Sequence, residues 1–246
     1  MRATFTDLGI PFPLFEAPVT EAAQYIGIGT CSICRRSERH CFRLGAGGYV
    51  IVRCGQCGAK NGLHTASPVS QSCRVCTHSV AFPALAGDPP ATCYDCLRED
   101  RAALTQDTIL GMVSWAEAIT GVTFGEPGLD TPEYELVPAW DDWIAARVSP
   151  TYLLELVHTP AYSSLHGERW EFHCKQPMVY LGEWDRADFC AHAAGGDGRS
   201  LFERIVQHID DFMTDRFWIH GDSSGQCVYV FRCPACGIHT ANWEID

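Results

Sequence analysis

Apolar residues recur along this chain with changing spacing, and the changes mark its parts. Up to about residue 100 the apolar runs are short and interrupted by Cys-x-x-Cys turns. Further on the pattern becomes helical, with Ile109, Leu110, Met112, Val113, Ala116 and Ile119 at helical intervals until the Gly and Pro of "GVTFGEPGLDTPE" stop it. The stretch "SPTYLLELVHTP" predicts a short helix with Ser149 as its cap and Pro150 in its first turn, where a missing N–H costs nothing. Alternation then predicts strands at "ERWEFHC", "MVYLGEW", "QCVYVFRC" and "HTANWEI". Between the second and third of these, "GRSLFERIVQHIDDFMTDRF" carries Leu201, Phe202, Ile205, Val206, Ile209, Phe212 and Met213 as one wide apolar stripe.

Composition changes this picture at the cysteines. With 246 residues and 46% hydrophobic content the chain can bury a core without covalent staples, yet it holds fourteen cysteines. No uninterrupted apolar run reaches membrane-spanning length, and "MRATFTDLGIPFPLFEAP" lacks the basic-then-apolar order of a secretory signal. A cytoplasmic location is therefore expected, where thiols stay reduced and metal ligation is the better default for clustered cysteines. At this cysteine frequency about one Cys-x-x-Cys pair or fewer is expected by chance. Five are present: Cys31/Cys34, Cys54/Cys57, Cys73/Cys76, Cys93/Cys96 and Cys233/Cys236.

A Cys-x-x-Cys turn aims two sulfurs at one ion while its amides soften their charge, so one pair is half of a four-coordinate Zn²⁺ site. The first four pairs are separated by nineteen, fifteen and sixteen residues and can close two Cys₄ sites, by sequential, crossed or nested pairing. The middle two have ribbon spacing, and the glycines of "RCGQCG" suit a tight metal-binding turn. Two structural Zn²⁺ sites are expected from these eight ligands. A third site is open to Cys174, Cys233 and Cys236, with His173 disfavoured as the fourth donor because neighbours on a strand point to opposite faces. The competing reading is an empty clasp. Cys41, Cys190 and Cys227 are expected to be ordinary small buried residues.

The fold class expected is α+β, in two domains: residues 1–100 as a zinc-ribbon-like Cys-rich module, and residues 101–246 as an antiparallel sheet with covering helices and a C-terminal CxxC hairpin.

Several segments taken in order carry a resemblance: "LGIPFPLFEAPVT", "CSIC", "CYDCLREDRAAL", "HTPAYSSLHGERWEFHCKQPMVYLG" and "YVFRCPACGIHTANWEID". Together they resemble the CbrC family, a group of uncharacterised bacterial proteins linked to tolerance of colicin E2. The resemblance implies that residues 35–92 contain an insertion, because shorter members carry only clasps corresponding to Cys31/Cys34 and Cys93/Cys96. Nested pairing follows from it: Cys31, Cys34, Cys93 and Cys96 in one site around Cys54, Cys57, Cys73 and Cys76. It also implies a further cysteine four positions after Cys174, where this chain has Met178, a poor partner for Zn²⁺.

Charge weighs the function classes. Residues 31–101 hold nine Lys and Arg against five Asp and Glu, while the rest of the chain holds nine against twenty-five, for a net charge of −12. Each Zn²⁺ bound by four thiolates carries −2, so two such sites cancel the local basic excess and disfavour polyanions. A hydrolase would need a metal with an open position and a base; His158, His166 and His173 with Glu168 and Glu171 lie near one another in sequence, but no His-Glu-x-x-His motif occurs. No catalytic residue is assigned. The best-fitting class is a non-catalytic protein-binding or toxin-tolerance factor with a basic protein partner, and Glu203, Asp210, Asp211 and Asp215 offer one acidic face for it. A nucleic-acid-associated zinc ribbon is the alternative, and a zinc-dependent hydrolase the second. No membrane role is indicated, and the oligomeric state is not legible. Trp140, Trp143 and Trp184 are candidate interface aromatics.

Overall fold

Strands that stop at a sulfur turn recur along the backbone, because four of the five Cys-x-x-Cys turns reverse the chain and pass it to an antiparallel partner. The computed structural model describes residues 2–45, 47–65, 70–81, 90–221 and 225–246. It divides into two units, Ala22–Ala161 and a second made of Met1–Glu21 with Tyr162–Asp246. The division expected at residue 100 falls inside the first of these. The fold is α+β with antiparallel sheets and few helices, as the spacing of apolar residues implies.

In the Ala22–Ala161 unit, strands β1 (Tyr25–Gly29), β2 (Arg39–Arg43), β3 (Tyr49–Arg53), β4 (Lys60–His64), β5 (Gln71–Ser72), β6 (Ser79–Val80) and β7 (Ala91–Cys93) lead into helix α1 (Tyr94–Arg98). Then come β8 (Ala102–Ala103), α2 (Trp115–Thr120), β9 (Glu126–Pro127), β10 (Glu135–Pro138), β11 (Trp143–Arg147) and α3 (Pro150–Val157). The sheets run β1-β2-β7, β4-β3-β8, β5-β6 and β10-β11-β9, with every named pairing antiparallel.

Helix α2 is shorter than the periodicity from Ile109 implies. Residues 106–113 form a buried loop instead, closed by reciprocal bonds between Gln106 and Val113. Gly111 explains the break: it sits at φ +91°, and a Cβ there would come within 2.4 Å of the Gly125 carbonyl oxygen, so the backbone approach excludes both a side chain and helical geometry. Leu110 and Val113 keep apolar positions because the loop itself is core. The helix starts where Ser114 and Glu117 form a capping box. Ser149 does occupy the cap of α3, though without a side-chain bond.

In the second unit, β12 (Phe172–His173), β13 (Gln176–Pro177) and β14 (Val179–Glu183) precede α4 (Arg186–His192), α5 (Gly198–Ile205), α6 (Asp211–His220), β15 (Gln226–Arg232) and β16 (His239–Ile245). The sheet runs β14-β15-β16. On it lies an aromatic core in which Phe15, Tyr162, Trp170, Tyr180 and Phe231 meet at centroid separations of 4.6–6.5 Å. Each such ring withdrawn from water contributes about 2–3 kcal/mol. A second cluster joins Trp184, Phe189, Phe202, Phe217 and Val228.

The single stripe expected over 201–213 is two helices. Val206 bridges to Ala241, His208 takes φ +56°, and the Asp210 carboxylate then caps a new helix by accepting from Met213 N. Restarting changes the helical phase, so Leu201, Phe202, Ile205 and Val206 are buried while Phe212 is exposed.

Candidate metal centres

Four of the five Cys-x-x-Cys turns share one backbone design. The amide of the first cysteine donates to the carbonyl five residues on, and the amide four residues on donates back to that cysteine's carbonyl: Cys31 with Arg36 and Arg35, Cys54 with Ala59 and Gly58, Cys73 with His78 and Thr77, Cys233 with Ile238 and Gly237. The residue four positions on must enter the left-handed region, at φ +63° for Arg35, +73° for Gly58, +62° for Thr77 and +74° for Gly237. The fifth turn is of another kind. Cys93 ends β7 and occupies the N-cap of α1, and Cys96 lies in the first turns of that helix.

These turns bring the sulfurs together in nested fashion. Among the described residues, Cys31, Cys34, Cys93 and Cys96 form one group and Cys54, Cys57, Cys73 and Cys76 another, the ligand atoms of each lying within 4.8 Å of one another. Cys31 and Cys96 are 3.8 Å apart, Cys34 and Cys93 3.7 Å, Cys57 and Cys73 3.6 Å, and Cys54 and Cys76 3.4 Å. A disulfide would need about 2.05 Å. A tetrahedron with metal–sulfur bonds of about 2.3 Å has edges of about 3.8 Å, so the donor sets fit Zn²⁺.

Amides surround selected sulfurs. Cys31 Sγ accepts from the amides of Ile33, Cys34 and Cys93 at 3.3–3.5 Å, and Cys73 Sγ accepts from Val75 N at 3.4 Å and Asn61 Nδ2 at 3.5 Å. Asn61 is fully buried and also accepts from Arg74 N, which ties β4 to the second turn. The thiols respond unequally. The Cys96 thiol and then the three amides lower Cys31 to about 4, whereas Cys96 is raised by its bond to Cys31 and by burial. Burial raises Cys93 to about 12. In the inner group the amides of Cys76 and Val75 lower Cys73 to about 6; Cys76, although the His78 amide lowers it, is carried to about 12 by burial and by its three neighbouring sulfurs. Four sulfurs this close cannot all ionise without a counter-charge, which a divalent cation supplies.

A third group joins His173, Cys174, Cys233 and Cys236. The expectation that His173 would face away from Cys174 is corrected by the turn between β12 and β13. Cys174 and Lys175 take φ +52° and +61°, the geometry of a two-residue hairpin turn, so the cysteine lies beyond the strand and alternation does not apply to it. His173 Nδ1 consequently sits 3.2 Å from Cys174 Sγ and 3.3 Å from Cys236 Sγ. Three cysteines and one histidine are a zinc-compatible set. Met178 takes no part: it is fully buried, with its sulfur accepting from Thr240 Oγ1 at 3.3 Å.

The remaining expectations sort by position. Cys41 is buried opposite Cys93 in the β2–β7 register, and burial lifts its thiol to about 11. Cys227 is half-buried, and Cys190 is exposed rather than buried. Of the face assigned to the late helices, Asp210 is spent as a cap, and Glu203 and Asp215 share Arg199 at 2.8 and 2.6 Å. Trp184 is core, whereas Trp140 is exposed. One residue escaped sequence reading. Asp100 accepts from Trp115 Nε1 at 3.0 Å, lies 3.3 Å from His158 Nε2 and pairs with Lys60. Burial opposes its charge, but His158 and Lys60 bring it down to about 2. Among the described residues no helix is long and apolar enough to cross a membrane.

The sequence profile of the uncharacterised protein family UPF0167, which is the CbrC family, matches residues 43–245. The chain belongs to this family. No curated protein and no solved structure matches it. The CbrC-family match takes in the inner tetrad, Cys93 and Cys96 and the whole third group, while Cys31 and Cys34 precede it.

Proposed function

We propose that this CbrC-family protein is a zinc-stapled, non-catalytic binding scaffold. Three Zn²⁺ ions hold its turns, two through Cys31, Cys34, Cys93, Cys96 and through Cys54, Cys57, Cys73, Cys76, the third through His173, Cys174, Cys233 and Cys236. The observation that carries the reading is that each group already offers four protein donors. A structural zinc site is closed by four, whereas a hydrolytic one keeps a position for water. The partner is a protein with a basic surface. Of the nine cationic residues between 31 and 101, Arg36, Arg39, Lys60, Arg98 and Arg101 already face carboxylates, which favours a protein over a polyanion. The family's link to colicin tolerance suggests a basic toxin domain, or a component of its route, as the class of partner.

X-ray absorption at the zinc edge, with elemental analysis, tests this reading. The expected result is three ions per chain with a shell of sulfur and a minor nitrogen contribution, all thiols reduced. A folded metal-free chain, thiols paired as disulfides, or an oxygen ligand signalling bound water would overturn it.

A further inference from the structure

The tip of the β10–β11 hairpin carries two indoles with two carboxylates between them in sequence: Trp140, Asp141, Asp142, Trp143. Ala139 N donates to Trp143 O and Trp143 N to Trp140 O, closing the loop so that the indoles stack at 4.5 Å with 17° between their planes. Phe124 meets both edge-on, at 6.0 and 5.6 Å. The platform is open to solvent, Trp140 being 48% and Phe124 38% exposed.

The segment that carries it is acidic. Residues 124–147 hold Glu126, Asp130, Glu133, Glu135, Asp141 and Asp142 against Arg147 alone, and Arg147 pairs with Glu135 at 3.0 Å. Among the described residues no ion pair neutralises Asp141 or Asp142, and both are exposed.

We propose that this platform is the docking surface for an Arg-rich segment of a partner protein. The inference deepens the scaffold reading above and rests on it for the claim that a basic protein is bound. The chemistry selects the occupant. An indole face attracts a cation through its quadrupole, and a neighbouring carboxylate accepts its N–H groups, so one guanidinium satisfies both halves of the surface. Arginine suits it better than lysine, because its planar fork stacks on the ring while it bonds the carboxylate. A purely apolar partner would bury Asp141 and Asp142 unpaired. A second copy meeting it through the same face would set the same carboxylates against one another, and nucleic acid or an anionic lipid surface would be repelled.

The stack also staples its hairpin, so the test separates stapling from recognition. A fluorescently labelled nona-arginine peptide is titrated with the zinc-loaded chain, and affinity is read by anisotropy. Asp141→Asn with Asp142→Asn leaves the stack intact and is expected to weaken binding about three- to tenfold. Trp140→Ala is expected to weaken it about two- to tenfold, with Trp140→Phe retaining part of the affinity. A charge-matched control, Glu38→Gln with Glu99→Gln, should change it by about twofold or less, since these exposed acids of the same unit lie outside the β10-β11-β9 sheet. Nona-lysine should bind more weakly than nona-arginine.

Equal loss in the control and the hairpin variant would reduce the effect to net charge and overturn the proposal, as would unchanged binding by Trp140→Ala, or capture of anionic vesicles in preference to the peptide. Zinc content measured on the same samples keeps the two readings apart. Three ions per chain with no hairpin-dependent binding sinks the surface alone, whereas missing ions sink the scaffold.

Discussion

The group around Cys31 and the group around Cys233 offer the same number of donors in opposite surroundings. In the first, Cys31, Cys93 and Cys96 are buried, one sulfur collects three amides, and the donors come from a turn and a helix start 59 to 65 residues apart. In the other, Cys174 and Cys236 are exposed and the donors sit at the tips of two hairpins, β12–β13 and β15–β16, each joined by its own backbone ladder between consecutive strands. Donor count is therefore not what separates a metal that makes a fold from one that decorates it. The difference lies in what else holds the ligating segments together.

Single serine substitutions should expose that difference most. Cys31→Ser removes the sulfur on which the amides converge and unties β1-β2-β7, whose strands are short. Because binding and folding are one process in such modules, loss of this ion is expected to cost about 5 kcal/mol or more and to open the Ala22–Ala161 unit to protease. Cys236→Ser should release one ion yet leave the seven-residue strands β15 and β16 paired, at a cost of about 1–3 kcal/mol. Limited proteolysis and thermal melts compare them directly. A timed chelator challenge adds the order of release, third group first, because exposed sulfurs admit the chelator.

How much of this was legible follows from the same contrast. Clasps and strands announce themselves through local signals: sulfur spacing, alternation, and Gly at left-handed positions. The nested grouping was open on spacing alone, because loops of fifteen to nineteen residues impose little preference; it came from family resemblance, and the sulfurs lie that way. His173 was disfavoured because alternation was extended one residue beyond the strand, into a turn whose positive φ at Cys174 the sequence does not advertise. The Ile109 helix failed for a tertiary reason, the approach of Gly111 to Gly125, which no periodicity encodes. Ser114 with Glu117 three residues on was the available signal for the true start.

Asp100 sharpens the comparison inside the Ala22–Ala161 unit, since it joins α1's exit to β4, α2 and α3 without sulfur. Asp100→Ala leaves the Trp115 N–H and Lys60 without their acceptor and is expected to cost about 2 kcal/mol, with Asp100→Asn recovering about half through the retained bond to the indole. The sign with pH follows from its depressed value. A carboxyl held at about 2, below its ordinary 3.8, contributes stability that is complete above about pH 4 and is lost as pH falls toward 2. Thiolates take up protons and release metal on acidification too, so denaturant melts of the two variants at neutral pH are the cleaner measurement. Equal stability of both variants with the parent would show that Asp100 adds nothing to what holds this unit.

The smallest effect lies within the turns themselves. All four of the shared design need a left-handed residue four positions after the first cysteine, but only two supply glycine; Thr77 is β-branched at φ +62°, where its Cβ crowds the backbone. Among the described residues Thr77 Oγ1 donates to the carbonyl of Cys76, an exposed contact that water can replace. Thr77→Gly removes a penalty of about 1–2 kcal/mol and adds back about 0.5–1 kcal/mol of unfolded-state entropy, so a net gain of about 0.5–1 kcal/mol is expected in denaturant melts of the zinc-loaded protein. Gly58→Ala, the reverse change in the other inner turn, should lose about 1 kcal/mol. The third group offers no such stabilising change, since Gly237 already fills that position. If Thr77→Gly instead lowered stability, the left-handed residue would be a preorganising element of the inner ribbon rather than a tolerated strain, and the equivalence of the four turns would fail.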